Sequence, residues 1–174
     1  AQIATPAVVF TYDPAYQRIK TMQDGIGLTT YNYHQTGVPG ALNLAAEDGP
    51  WANDTITYAY DVLGRVLNRA IDGVAQTVAY DTAGRVTNVV NVLGSFAYTY
   101  DGATSRLLDV YYPNGQRSEY RYFNNQRDRR LQRIQHFQPN GQNLARFDYE
   151  YEPAGNITTW QQQLLAERPR VWTN

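Results

Sequence analysis

The chain has 174 residues and a mass of 19.8 kDa, enough for one domain with a core of its own and short for two. Val, Ile, Leu and Phe make up only about a fifth of it, which approaches the composition of disorder, yet 15 basic and 16 acidic residues leave a net charge of −1. The apolar mass is made up by 15 Tyr and 3 Trp, rings that bury large areas and keep a polar tip, so the chain reads as folded and Tyr-rich.

The near-neutral charge argues against a general nucleic-acid binder. No run approaches 18 apolar residues, so no membrane-spanning helix is expected. The first ten residues lack the charged start and apolar middle of a secretion signal, so either a signal has been removed or the chain begins inside a longer protein. Without Cys there is no disulfide framework and no thiolate site. Arg outnumbers Lys 14 to 1, and Arg stacks on aromatic rings and forks to carboxylates.

Taken in chain order, one phrase keeps returning. It starts as Phe10-Thr11-Tyr12-Asp13 with Arg18-Ile19, and continues as Tyr31-Asn32-Tyr33. The cleanest copies are Tyr58-Ala59-Tyr60-Asp61-Val62-Leu63-Gly64-Arg65-Val66 and Val78-Ala79-Tyr80-Asp81-Thr82-Ala83-Gly84-Arg85-Val86. Tyr98-Thr99-Tyr100-Asp101 with Arg106-Leu107 follows, then Tyr120-Arg121-Tyr122, then Tyr149-Glu150-Tyr151-Glu152 with Gly155-Asn156-Ile157. The anchors at 12, 33, 60, 80, 100, 122 and 151 define seven units with a basic step of about 20 residues and insertions between some of them.

Each unit has a mechanical reading. Tyrosines at i and i+2 share one face of a strand. Asp then opens a turn and Gly closes it three residues later, in the left-handed conformation such a hairpin requires. The chain returns through Arg and alternating apolar residues. A second reversal follows, at Asp72-Gly73, at Asn114-Gly115 after Pro113 and at Asn140-Gly141 after Pro139, read as Asn-Gly and Asp-Gly hairpins. Seven units then give about 14 antiparallel strands: an all-β chain of repetitive hairpins in a curved or spiralling sheet, part of a shell or open solenoid. Residues 41–47 read as a short helical turn or a loop, and 161–174 as a linker or partial repeat, within a single repeat region over 1–174.

These phrases resemble the YD repeats of the RHS-repeat family, which includes bacterial polymorphic toxins, cage-forming toxin-complex subunits and teneurins. The resemblance covers about residues 10 to 160, and the connecting phrases Val110-Tyr111-Tyr112-Pro113-Asn114-Gly115 and 144–151 also look like RHS linkers. It implies a scaffold: a hairpin strip winding into a hollow shell around a toxic domain, with neighbouring repeats and an enclosed toxin domain as partners. It further implies a bacterial extracellular or cell-surface location and, since a shell needs more repeats than seven, a segment of a longer repeat region. The family's self-cleaving motif contains Asp-Pro; the one Asp-Pro here, Asp13-Pro14, sits in the first repeat, so no catalytic residue is carried over.

The residues support no enzyme reading of their own. Glu150 and Glu152 alternate on a repeat strand without the context of a hydrolytic pair. His34 and His136 show no metal-ligand spacing, and no phosphate loop appears, so neither metal nor cofactor is expected. The run containing Arg127, Arg129, Arg130 and Arg133 is a candidate anion-binding patch. The Tyr rows are a candidate carbohydrate platform, against the simpler reading that Tyr60, Tyr80 and Tyr100 stack as a ladder with Arg. Asn53-Asp54-Thr55 and Asn156-Ile157-Thr158 are formal glycosylation sequons. The expected function is therefore structural: a non-catalytic stretch of RHS shell, or else an extracellular fibre-forming or adhesive repeat protein that stacks through its strand edges or binds glycans.

Overall fold

In the computed structural model, residues 7–165 and 167–173 are described. Residues 1–6, part of the stretch read for a leader, and positions 166 and 174, within the stretch read as linker or partial repeat, lie outside them. The described residues are all-β, with a single 3₁₀ turn at Asn125–Arg127. Among the described residues fifteen strands follow one another in sequence order in an open sheet, one more than the repeat count suggested. No helix among the described residues is long and apolar enough to cross a membrane.

The backbone divides into two compact units, one up to Val78 and one from Ala79. The first holds β1 (Val9–Tyr12), β2 (Ile19–Gln23), β3 (Leu28–Tyr33), β4 (Leu44–Asp48), β5 (Ile56–Tyr60), β6 (Val66–Ile71) and most of β7 (Val74–Tyr80). The second holds β8 (Val86–Asn91), β9 (Gly94–Tyr100), β10 (Leu107–Tyr111), β11 (Arg117–Tyr122), β12 (Leu131–Phe137), β13 (Asn143–Tyr151), β14 (Ile157–Leu164) and β15 (Arg170–Thr173). Residues 161–164 thus belong to β14, and β15 pairs with it through Trp160 and Trp172.

Residues 41–47 form no helical turn. Leu44–Asp48 is strand β4, paired with β3 and β5. Its Ala and Glu favour helix locally, but pairing on both sides overrides that preference.

The register repeats as the sequence does. The second tyrosine of a unit faces the residue that follows the returning Arg or its substitute: Tyr12 with Ile19, Tyr33 with Leu44, Tyr60 with Val66, Tyr100 with Leu107, Tyr122 with Leu131 and Tyr151 with Ile157. At each of these places the return strand carries one extra residue, a β-bulge. The side-chain period of two then sorts the second unit's strands into two faces. Phe96, Tyr98, Tyr100, Val110, Tyr120, Ile134, Phe147, Tyr149 and Trp160 share one. Asp109, Arg117, Glu119, Arg121, Arg133, Arg146 and Asp148 share the other, where they pair as Arg117–Asp109, Arg117–Glu119, Arg121–Glu119, Arg133–Asp148 and Arg146–Asp148.

Candidate functional site

The repeat turn is built around its carboxylate. Asp61 Oδ1 accepts the amides of Leu63 at 2.8 Å and Arg65 at 2.9 Å, while Oδ2 takes Arg65 Nε at 2.6 Å. Asp81 repeats this with Ala83, Arg85 and the Arg85 guanidinium. Asp13 does so with Ala15 and Arg18. Gly64 and Gly84 close their turns at φ 78° and 82°, and each donates its amide to the opening Asp carbonyl at 3.0 Å. Gly155 closes the Glu152 turn in the same way at φ 97°. The three aspartates are held below the usual carboxylate range. For Asp13 and Asp81 the leading cause is an amide hydrogen bond, from Ala15 and Arg85 respectively. At Asp61 desolvation is the largest influence and opposes the shift, but the Arg65 and Leu63 amides and the Arg65 guanidinium outweigh it.

The returning arginine reaches forward into the next repeat. Arg18 lies 4.0 Å over the Tyr33 ring and donates to the Leu42 carbonyl at 3.0 Å. Arg85 lies 4.5 Å over Tyr100 and donates to the carbonyls of Gly102, at 2.7 Å, and Thr104. Arg130 lies 5.8 Å over Tyr151 and donates to Glu152 O at 2.7 Å and Pro153 O at 2.9 Å. Arg106 stands over Tyr122 at 5.8 Å. The tyrosine answers backwards: Tyr33 donates to Ile19 O at 2.7 Å, Tyr60 to Leu44 O at 2.9 Å and Tyr100 to Val86 O at 2.6 Å. Burial raises the hydroxyl pKa of Tyr60, Tyr100, Tyr122 and Tyr151, so each stays protonated at neutral pH.

In the second unit, therefore, the ladder places Arg on Tyr, not Tyr on Tyr. Tyr58 and Tyr60 stack within one strand. Where a repeat lacks its Asp and Arg, other groups stand in: His34 holds Tyr58 O at 3.0 Å and meets the Tyr60 ring edge-on at 5.5 Å.

The arginine-rich run is taken up by the same device. Arg127 pairs with Glu150, Arg129 with Asp101, Arg130 with Asp128 and Arg133 with Asp148. Each guanidinium thus already faces a carboxylate, and Arg129 serves the Asp101 turn from the following repeat. Glu150 and Glu152, weighed above as a carboxylate pair, are occupied by Arg127 and by the Asn156 amide. Among the described residues no group of His, Asp and Glu is arranged to hold a metal ion.

The opposite edge carries a second seam, one the sequence reading did not find. A Cβ added to Gly27 would lie 2.3 Å from Pro50 Cβ, one on Gly94 2.6 Å from Pro113 Cβ, and one on Gly115 3.1 Å from Pro139 Cβ. A glycine of one turn thus receives the proline of the next, three times. The Pro-Asn-Gly turns are also not the two-residue hairpins expected. Gly115 and Gly141 donate to Tyr112 O and Gln138 O, and only the glycine has positive φ, so these match the Asp61 turn. Asp72-Gly73, with φ 48° and 76°, is the two-residue form.

No protein-family model matches the sequence, and no curated protein matches it. Solved structures do. A TcdB2-TccC3-Cdc42 crystal structure superposes with a TM-score of 0.70 over 94% of this chain at 20% identity. A TcdB2-TccC3-TEV structure gives 0.68 over 92% at 20% identity, and the Photorhabdus luminescens Tc holotoxin pore 0.55 over 92% at 17% identity. The fold is the RHS-type repeat fold of these toxin complexes. This chain spans 9%, 9% and 11% of the respective neighbours, about a tenth of their length. Within the RHS-type fold, Asp of the repeat phrase holds its own turn, and Arg and Tyr tie one hairpin to the next.

Proposed function

We propose that this chain is a stretch of shell wall, a non-catalytic run of RHS-type repeats that helps enclose an effector polypeptide of a bacterial toxin complex outside the cell or at its surface. The observation that carries this reading is the forward brace: Arg18, Arg85 and Arg130 each leave their own turn and bind carbonyls of the next one. Nearest-neighbour ties of this kind stabilise an array whose length is set by the number of repeats. The burial pattern supports it as well. Among the described residues the buried apolar side chains are Ala70, Val110 and Phe123, and the rings around Val110 are half-buried, so that face keeps area for another layer to cover. The role is steric and kinetic, keeping an enclosed chain from water, proteases and its own targets, and no residue is assigned a chemical step.

Light scattering with negative-stain imaging of the purified chain tests this. Monomers or irregular clumps are expected. Regular filaments would favour the fibre-forming reading instead, which draws on the exposed Val9 and Phe10 of β1 and Val171 and Trp172 of β15.

A further inference from the structure

Ser118 of β11 is 1% exposed, and its hydroxyl sits between two partners: His136 Nδ1 of β12 at 2.7 Å and the Tyr112 hydroxyl of the β10–β11 turn at 3.1 Å. Ser118 and His136 face each other directly in register. The Phe147 ring of β13 meets the imidazole edge-on at 6.1 Å. A cavity of about 150 Å³ opens beside them, lined also by Gln116, Arg117, Phe137 and Leu144. A polar chain at this depth on a face of rings needs every partner it has.

We propose that Tyr112, Ser118 and His136 form an acid-sensitive latch tying the β10–β11 turn to β12, closed while His136 is neutral and loosened when it gains a proton. The groups around the imidazole explain the sense of the switch. From β11 come Ser118 and Arg117, from the turn Tyr112 and Gln116, from β13 Ala145 and Phe147, and from its own strand Ile134 and Phe137. Tyr112 alone of these titrates and Arg117 alone is charged. The Arg117 guanidinium, 4.4 Å over Phe137, is bound by Asp109 and Glu119, which alternation places on the other face. In either tautomer, protonation therefore adds a cation with no carboxylate to meet it. Burial already holds the imidazole below its ordinary value. Because the folded value is the lower one, stability is full above the unfolded value, near 6.5, and is lost as pH falls below it. The latch lies beside the contact of Gly115 with Pro139, so opening it frees the seam between two consecutive turns.

Hydrogen-exchange protection factors at pH 7.5 and 5.5, measured on the whole chain, test the proposal without reference to the shell. In the wild type, loss of protection is expected over β11 and β12 at the lower pH, with β5 and β6 unchanged. His136→Gln should show equal protection at both values, and His34→Gln should still lose protection over β11 and β12 at the lower pH. A His136→Gln variant that loses protection as the wild type does, or a wild type that loses none, overturns the latch. Should that variant fail to fold, an NMR titration of wild-type His136 decides: a midpoint below the ordinary histidine value is expected, and one at or above it overturns the proposal.

Discussion

The Tyr100 hydroxyl donates to the Val86 carbonyl at 2.6 Å while the Arg85 guanidinium rests 4.5 Å over the same ring, so one side chain is held from its edge and its face by the preceding repeat. Tyr100→Phe keeps the face and loses the edge, and should lower unfolding stability by about 1 kcal/mol. Arg85→Ala removes the face and the carbonyl contacts at Gly102 and Thr104, and should cost about 2 kcal/mol. Since both act on one ring, urea denaturation of the double variant should show a loss smaller than the sum.

The glycine–proline seam offers a steric test free of backbone strain. Gly27 does not need a left-handed conformation, yet a methyl there would overlap Pro50. Gly27→Ala should destabilise by about 1–3 kcal/mol through overpacking. Adding Pro50→Gly should return part of that loss in thermal melts. Gly84→Val fails for the other reason: φ is 82° there, and a β-branched residue opposes it.

Replacing Arg129 and Arg130 with Ser removes the partner of Asp101 and the donor to Glu152 and Pro153. In the sequence these belong to the candidate anion-binding run. Their contacts predict a loss of about 2 kcal/mol, as for hydrogen bonds to charged groups. Retention on heparin should stay unchanged, because each guanidinium already faces a carboxylate. Chemical denaturation and salt elution read the two outcomes separately.

Acid should unfold the chain through its turn carboxylates. Asp13, Asp61 and Asp81 have folded values below their unfolded ones, so their contribution is present above the unfolded value near 3.9 and is lost as pH falls through the folded one. Asp148 acts in the same direction: its partial burial opposes the shift, and Arg146 and Arg133 overcome it. Asp81→Asn keeps an acceptor for the Ala83 and Arg85 amides and removes the charge. Its melting temperature should be lower at pH 7 and fall less steeply between pH 5 and about 2, followed by circular dichroism.

The Asp-opened turns were the most legible part of the chain because their causes are local. Asp61 binds amides two and four residues on, and Gly64 supplies a left-handed angle within the same five residues. Such contacts form whatever the rest of the chain does. The hairpin count, the paired tyrosine face and the all-β class follow from the same short-range rules. Where local preference and pairing disagreed, as at residues 41–47, the residues alone pointed away from strand.

The forward reach of Arg85 to Gly102, the service of Asp101 by Arg129 and the seating of Pro113 against Gly94 span 17, 28 and 19 positions. No residue type announces a partner at that distance, since an arginine in a turn can pair within its own repeat, with the next or with water. Packing of consecutive hairpins side by side, about 10 Å per repeat, brings these groups together and selects among the choices. Identity and order of the repeats were thus written in the residues, whereas which repeat holds which was settled only when the strands paired.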